Sequence, residues 1–300
     1  MACADPATLK GSHKSPRVCG TGWQGKSCPS RLPLERSTMA TERQQPSLSV
    51  ILPCYNEQKN LERGVLAEVH RYLAGQALPW EVVIVNDEST DDSRSLIAGY
   101  IQDKPSFSLF DIPHGGKPAA VWEGIQQARG EMVLFSDMDQ STPLHELDKL
   151  IPWYEQGFDV VIGSRQTTRE GSSLLRKAGS FVFLTLRRLF LLPDIMDTQC
   201  GFKLCRRQVA LQLFPHLEFL RQQEKPTGWK VTAFDVEFLY LVDRAGYRIQ
   251  EVLVSWRNRD ESDTKSQQGE LARYVHESLN MAREVTRVKL NQLRGVYDQI

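Results

Sequence analysis

The sequence has no long hydrophobic run: no stretch reaches the ~18–20 consecutive apolar residues that a membrane-spanning helix needs. Its most apolar segment, 181–192, is broken by Arg187 and Arg188, so no transmembrane helix is expected. Charge of one sign is not in excess either. Lys plus Arg and Asp plus Glu both number 37, which leaves no global basic field for nucleic acid. The six cysteines stand at 3, 19, 28, 54, 200 and 205, a spacing that matches no zinc pattern and no disulfide framework. Cys200 and Cys205 are therefore expected to be reduced, partly buried thiols of a cytosolic protein. The N-terminal region lacks the hydrophobic core of a signal peptide. Residues 1–45, rich in Gly, Ser, Pro, Lys and Arg, are expected to be a disordered extension. With Met39 standing shortly before the first clear strand, residues 1–38 are expected to be missing from the native product.

What is present is an alternation of strand and helix signals from Ser47 onward. Leu48 to Pro53, Glu81 to Val85, Glu131 to Ser136 and Phe158 to Gly163 are short apolar runs of the kind buried on both faces. Ser108 to Ile112 is a weaker strand, and Arg248 to Trp256 alternates as a half-buried one. Between them, Asn60 to Ala74, a segment capped by Ser89 or Thr90, Ala119 to Arg129 and Leu144 to Tyr154 carry helical spacing. Strands joined by such helices predict an open α/β fold with a mostly parallel central sheet. The expected division is a catalytic domain over 46–260 and a C-terminal helix within 261–300, carrying an apolar stripe that includes Val285 and Val288.

Ligands of open parallel sheets bind beyond the carboxyl ends of the strands, so the loops there are where chemistry is sought. Asp137-Met-Asp139 follows one buried strand, and two carboxylates at this spacing can reach one hard cation, Mg2+ or Mn2+, that bridges a diphosphate. Asp87 ends another strand, in reach of a base or ribose, with helix capping as its alternative role. Tyr55 offers an aromatic face and Glu57 a carboxylate. His114-Gly-Gly-Lys117 is a flexible turn that can bring Lys117 toward phosphate, and Arg165 can pair with a phosphate. A P-loop is absent, and no G-x-G-x-x-G follows the first strand, which disfavours a dinucleotide-dependent oxidoreductase.

Taken in order, Val50 to Glu57, Val85 to Ser89, Gly116-Lys117, Asp137-Met-Asp139 and Gly163 to Arg165 resemble the family 2 glycosyltransferases over roughly 47–256. Asp197 to Leu204 followed by Phe234-Asp-Val-Glu237 is similar to the dolichyl-phosphate glucosyltransferase branch. The resemblance implies a Rossmann-like nucleotide-diphospho-sugar transferase fold of the GT-A type. It also implies inverting transfer of glucose from UDP-glucose to a polyprenyl phosphate at the cytoplasmic membrane face. Matching positions assign Pro53, Tyr55, Glu57 and Asp87 to the nucleoside, and Asp137 and Asp139 to metal and diphosphate. Gln140, Arg165 and 197–204 are assigned to sugar or acceptor phosphate. A phosphate acceptor needs no strong base; a hydroxyl acceptor would, with Asp235 or Glu237 as candidate. Residues 174–192 are a candidate peripheral membrane contact, and Arg257, Arg259 and Lys265 candidate partners of the acceptor phosphate. Pro118 departs from the family pattern, where glycine is common after the lysine. A nucleotidyltransferase and a non-catalytic nucleotide-sugar-binding module are the competing readings.

Overall fold

The computed structural model describes residues 45–165, 192–221, 234–260 and 270–300, with side chains of the last helix from 282 onward. All of them belong to one unit, Arg43–Ile300. The strands are β1 (Leu48–Cys54), β2 (Trp80–Asn86), β3 (Phe107–Asp111), β4 (Met132–Phe135), β5 (Val160–Arg165), β6 (Lys203–Arg206) and β7 (Ile249–Val254). They form one sheet in the order β3-β2-β1-β4-β6-β5-β7. Every neighbouring pair is parallel except the two that involve β6, which runs against β4 and β5. The mostly parallel sheet is as expected. The antiparallel β6 was not read as a strand, because its four residues give too short an alternation to mark one.

The apolar strands alternate between two cores. Leu48, Val50 and Leu52 of β1 face a layer built from α2 (Val65–Ala74), α3 (Ser93–Ile101) and α5 (Leu147–Glu155). Ile51 faces the other layer, built from α4 (Lys117–Gln127), α6 (Arg207–Leu213) and α8 (Phe234–Arg244). Burial on both faces is the reason these strands read as continuous hydrophobic runs. α2 is only ten residues long, too short to hold alone. Its buried Val65, Leu66, Val69 and Leu73 contribute roughly 6–12 kcal/mol of gross burial at about 1.5–3 kcal/mol each, so packing makes the helix.

Helix boundaries depart from expectation for local reasons. The helix expected over 60–74 is split: α1 (Gln58–Glu62) ends at Arg63, and Gly64 takes a left-handed φ of 91° before α2 begins. α3 starts at Ser93 after Asp92, with no side-chain cap, so neither Ser89, Thr90 nor Asp87 caps it. α4 begins earlier than expected, at Lys117, with Pro118 in its first turn. Proline fits there because its missing N–H would be unpaired anyway, so the departure from the family pattern leaves the turn intact. The short α7 (Glu218–Arg221) precedes α8, and α9 (Glu270–Leu293) is the expected C-terminal helix, with Val285 and Val288 buried. Among the described residues no helix is long and apolar enough to cross a membrane. The candidate membrane contact at 174–192 lies outside them apart from Leu192.

The connection between α4 and β4 passes so close to the β1 backbone that glycine is required in it. A Cβ at Gly130 would lie 2.8 Å from the backbone nitrogen of Ser49, and main chain cannot yield as a side chain can. Gly130→Ala should lower the unfolding free energy by about 1–3 kcal/mol, the usual cost of overpacking, as read by urea denaturation; an unchanged midpoint would contradict the close approach.

Candidate functional site

β1 lies between β2 and β4, so the chain winds outward on both sides of it, and the crevice beyond the carboxyl ends of β1 and β4 is where ligands of such sheets bind. Pro53 from β1, Ser136 and Asp137 after β4, Lys117 at the start of α4, Gly201 and Lys203 at β6, and Phe234 and Asp235 at α8 line a small recess there. The structure thus brings together four residues singled out from sequence: Pro53, Lys117, Asp137 and Asp235. It adds Lys203 and Gly201.

Charges alternate around the recess. Lys117 Nζ donates to Asp137 Oδ1. Lys203 Nζ donates to Asp235 Oδ1 at 2.6 Å and to the Cys200 carbonyl at 2.5 Å, although the side chain of Lys203 is only 2% exposed. A buried ammonium persists only when paired and bonded. Burial alone would push the Lys117 ammonium down, but the carboxylates of Asp137, Asp235 and Asp139 outweigh it and hold it above the ordinary lysine range. Gly201 leaves room for the Asp137 carboxylate: a Cβ there would come within 2.1 Å of Oδ2.

Asp139 bonds the Ser141 amide through Oδ1 at 2.8 Å, and its carboxyl is raised by burial and by the charge of Asp137. Glu57 is pushed up to about 8, first by burial and then by Asp260, Asp139 and Asp137, against a hydrogen bond from Asn60. Burial and the proximity of other carboxylates thus both act on Glu57 and Asp139 at this edge of the site. Among the described residues no group of three or more His, Cys, Asp or Glu could hold a metal. Two hard carboxylates with substrate phosphates and water completing the shell is how Mg2+-like ions are commonly bound, so Asp137 and Asp139 fit such an ion with a diphosphate present.

Other expected residues stand one step back. Asp87 is fully buried, and its two oxygens accept from the amides of Gly115 and Gly116 at 2.7 and 2.9 Å. Its Oδ2 also lies 3.0 Å from His114 Nδ1, and burial raises the carboxyl overall. In this state it pins the 114–117 turn rather than offering a free oxygen to a base, and the turn is not a loose one. Tyr55 packs on His114 with ring centroids 4.7 Å apart. Gln140, expected near the sugar, is buried with its amide donating to Ser136 Oγ and to the Asp137 carbonyl; it closes the Asp137–Asp139 loop. Glu237 is committed to Tyr297 Oη at 2.7 Å and Arg287 at 3.1 Å, so of the two candidate bases only Asp235 faces the recess. Arg259 is paired with Glu68 at 2.9 Å, and Lys265 lies outside the described residues. Cys54, Cys200 and Cys205 are free and buried.

Arg165 forms a two-pronged pair with Asp197, 2.7 Å from Nε and 2.9 Å from Nη2, and its guanidinium lies 5.7 Å from the Trp256 ring centroid. Glu251 in turn accepts from the Asp197 and Met196 amides, both at 2.7 Å. The pair thereby fixes 196–199 against β5 and β7.

The site is thus an acidic strand-end loop beside a lysine-bearing turn, at the carboxyl edge of a sheet of six parallel strands and one antiparallel strand. Residues 49–214 match the family described as glycosyl transferase family 2. The chain is 30% identical to the dolichyl-phosphate beta-glucosyltransferase of Dictyostelium discoideum, covering 83% of this chain and 76% of that one. It is 35% identical to the enzyme of that name from Drosophila melanogaster, covering 72% and 68%. Glucosyl-3-phosphoglycerate synthase from Mycobacterium tuberculosis, in complex with Mn2+, UDP and glucosyl-3-phosphoglycerate, shares the fold with a TM-score of 0.53. Its identity is 19%, over 82% of this chain and 79% of that one. The chain belongs to glycosyl transferase family 2, and it is an enzyme of hexosyl transfer.

Two outcomes test this geometry. Gly201→Ala should displace the Asp137 carboxylate and cut turnover about 10²-fold, the cost of a misplacement near 1 Å, while circular dichroism stays native; full activity would contradict the contact. Burial would raise the Asp197 carboxyl, but the hydrogen bond and charge of Arg165 outweigh it and hold it below the ordinary range. A lowered folded-state pKa stabilises above the unfolded value of about 4 and is lost as pH falls through the folded one. The urea midpoint of Asp197→Asn should therefore lie below wild type near about pH 7 and converge with it toward about pH 3; a constant gap would count against the pair.

Proposed function

We propose that this enzyme transfers glucose from UDP-glucose to the phosphate of a polyprenyl phosphate of the dolichyl type, with inversion at the anomeric carbon. The observation that carries the reading is the convergence of Lys117, Asp137, Lys203 and Asp235 on one recess at the β1–β4 crevice. The names of the relatives support the sugar and the lipid acceptor.

In this reading Pro53, Tyr55 and Glu57 flank the nucleoside, while Asp87 and Gln140 shape the two loops that hold the diphosphate. Asp137 and Asp139 would hold Mg2+ or Mn2+, which when bound supplies positive charge to the diphosphate leaving group. Lys117 faces the diphosphate. An acceptor phosphate oxygen attacks the anomeric carbon from the face opposite the departing oxygen, the new C–O bond forms as the old one breaks, and UDP leaves. The acceptor is already anionic, so no general base is required; orientation and cationic stabilisation carry the step. In this reading Lys203 and Arg165 are the cations assigned to that phosphate, once ligands rearrange their present pairs. Asp235 Oδ1 is already engaged by Lys203 at 2.6 Å rather than offered to a hydroxyl, which favours this over a hydroxyl acceptor. A polyprenyl acceptor also puts the protein at the cytoplasmic face of a membrane as a peripheral enzyme, with 174–192 as the candidate contact.

The purified protein should be incubated with Mn2+ or Mg2+, a polyprenyl phosphate, and UDP-glucose or GDP-mannose in parallel. Glucosylated lipid formed from UDP-glucose alone is the expected product. UDP release without a lipid product would overturn the acceptor assignment. Asp139→Asn should lose about 10²-fold or more in turnover with its fold intact; wild-type rates, or rates unaffected by chelator, would overturn the metal assignment.

A further inference from the structure

Arg63 stands outside the recess, in the break between α1 and α2, and no motif marks it. Its guanidinium joins two pieces of chain that are otherwise far apart in sequence. Nη2 donates to the carbonyl of Asp139 at 2.8 Å, and Nη1 donates to the carbonyl of Arg259 at 2.5 Å. Gly64, with its left-handed φ of 91°, ends α1 at this point; a helix running straight through would aim the side chain elsewhere.

The segment held by Nη1 is the strap 256–260, which leaves β7 and crosses the Asp137–Ser141 loop. Four further bonds fasten it. The Arg257 amide donates to the Ser141 carbonyl at 2.8 Å, and the Arg259 amide to Ser141 Oγ at 3.2 Å. The Arg259 guanidinium grips Glu68 of α2 through two bonds of 2.9 Å. Ser141 itself donates its amide to Asp139 Oδ1. Arg63 thus bonds both the backbone of the acidic loop and the backbone of the strap.

We infer that Arg63 is a positioning residue: it locks the strap over the acidic loop and so presets Asp139 for the divalent ion. The inference rests on the metal reading proposed above. Without the guanidinium, the carbonyls of Asp139 and Arg259 lose their shared donor, the strap lifts, and the loop must be ordered at the expense of ion binding.

Two measurements on full-length protein test it. The first is limited trypsin digestion with mass spectrometry, because the strap itself offers cleavage after Arg257 and Arg259. In Arg63→Ala these two cuts should quicken about tenfold, the effect of losing one charge-assisted hydrogen bond, while cuts elsewhere keep their rates. The second is Mn2+ affinity in the presence of UDP, read by the electron paramagnetic resonance of free Mn2+. It should weaken about tenfold and recover when methylguanidinium is added. Arg63→Lys, which keeps the charge but has no planar fork, should fall between the two and serves if the alanine variant does not fold. Unchanged cleavage at Arg257 and Arg259 would overturn the strap role. Equal Mn2+ affinity in variant and wild type would overturn the positioning role. Wild type that binds no Mn2+ with UDP would sink the metal reading instead, leaving strap protection to be judged on the digestion alone.

Discussion

The constraint on which the site depends is the contact between the Asp137 carboxylate, the Lys117 ammonium and the bare backbone of Gly201. Three stretches of chain meet there: the end of β4, the start of α4 and the entry to β6. A half-buried ammonium at the start of a helix is stabilised by the carboxylates around it. The carboxylate fits only because residue 201 has no side chain. The parallel sheet sets this meeting place by putting the carboxyl ends of β1 and β4 side by side.

Around that contact, support comes in layers. Asp87 ties down the turn that carries Lys117, Gln140 closes the loop that carries Asp137, and Arg165 with Asp197 fixes the approach to β6. A separate polar cluster of Glu237, Tyr297, Asn291 and Arg287 seats the C-terminal helix against α8. The same α8 presents Asp235 to the recess at its first turn. One helix thus carries an anchoring carboxylate and a site carboxylate two residues apart, which on a helix point to different sides.

Much of this was legible in the sequence. Short β-branched runs such as Glu81 to Val85 announce strands covered on both faces, and the polar residues directly after them mark the ligand-binding edge. Asp137 was found in that way, Lys117 from the glycine-bearing turn at 114–117, and Pro53 through the family resemblance. The distinction between residues that face a ligand and residues that hold a loop was not legible, since Asp87 and Gln140 carry the same chemistry in either role. Only the direction of the side chain separates them. Lys203 and Gly201 escaped notice as individuals because a lysine after an aromatic residue and a lone glycine have no periodic signature. Their roles arise from the antiparallel β6, which wedges between β4 and β5 and is too short to announce itself. Arg63 lies in the same class: it bonds to carbonyls 76 and 196 residues away, and local spacing contains no trace of such partners.

The most direct test of the account is a crystal grown with Mn2+ and UDP, measured at the manganese absorption edge. One anomalous peak touching the carboxylates of Asp137 and Asp139 and the diphosphate of UDP, with Lys117 turned to the phosphates, is the predicted result. A peak elsewhere, or UDP bound away from the β1–β4 crevice, would contradict the assignment of this recess as the active site.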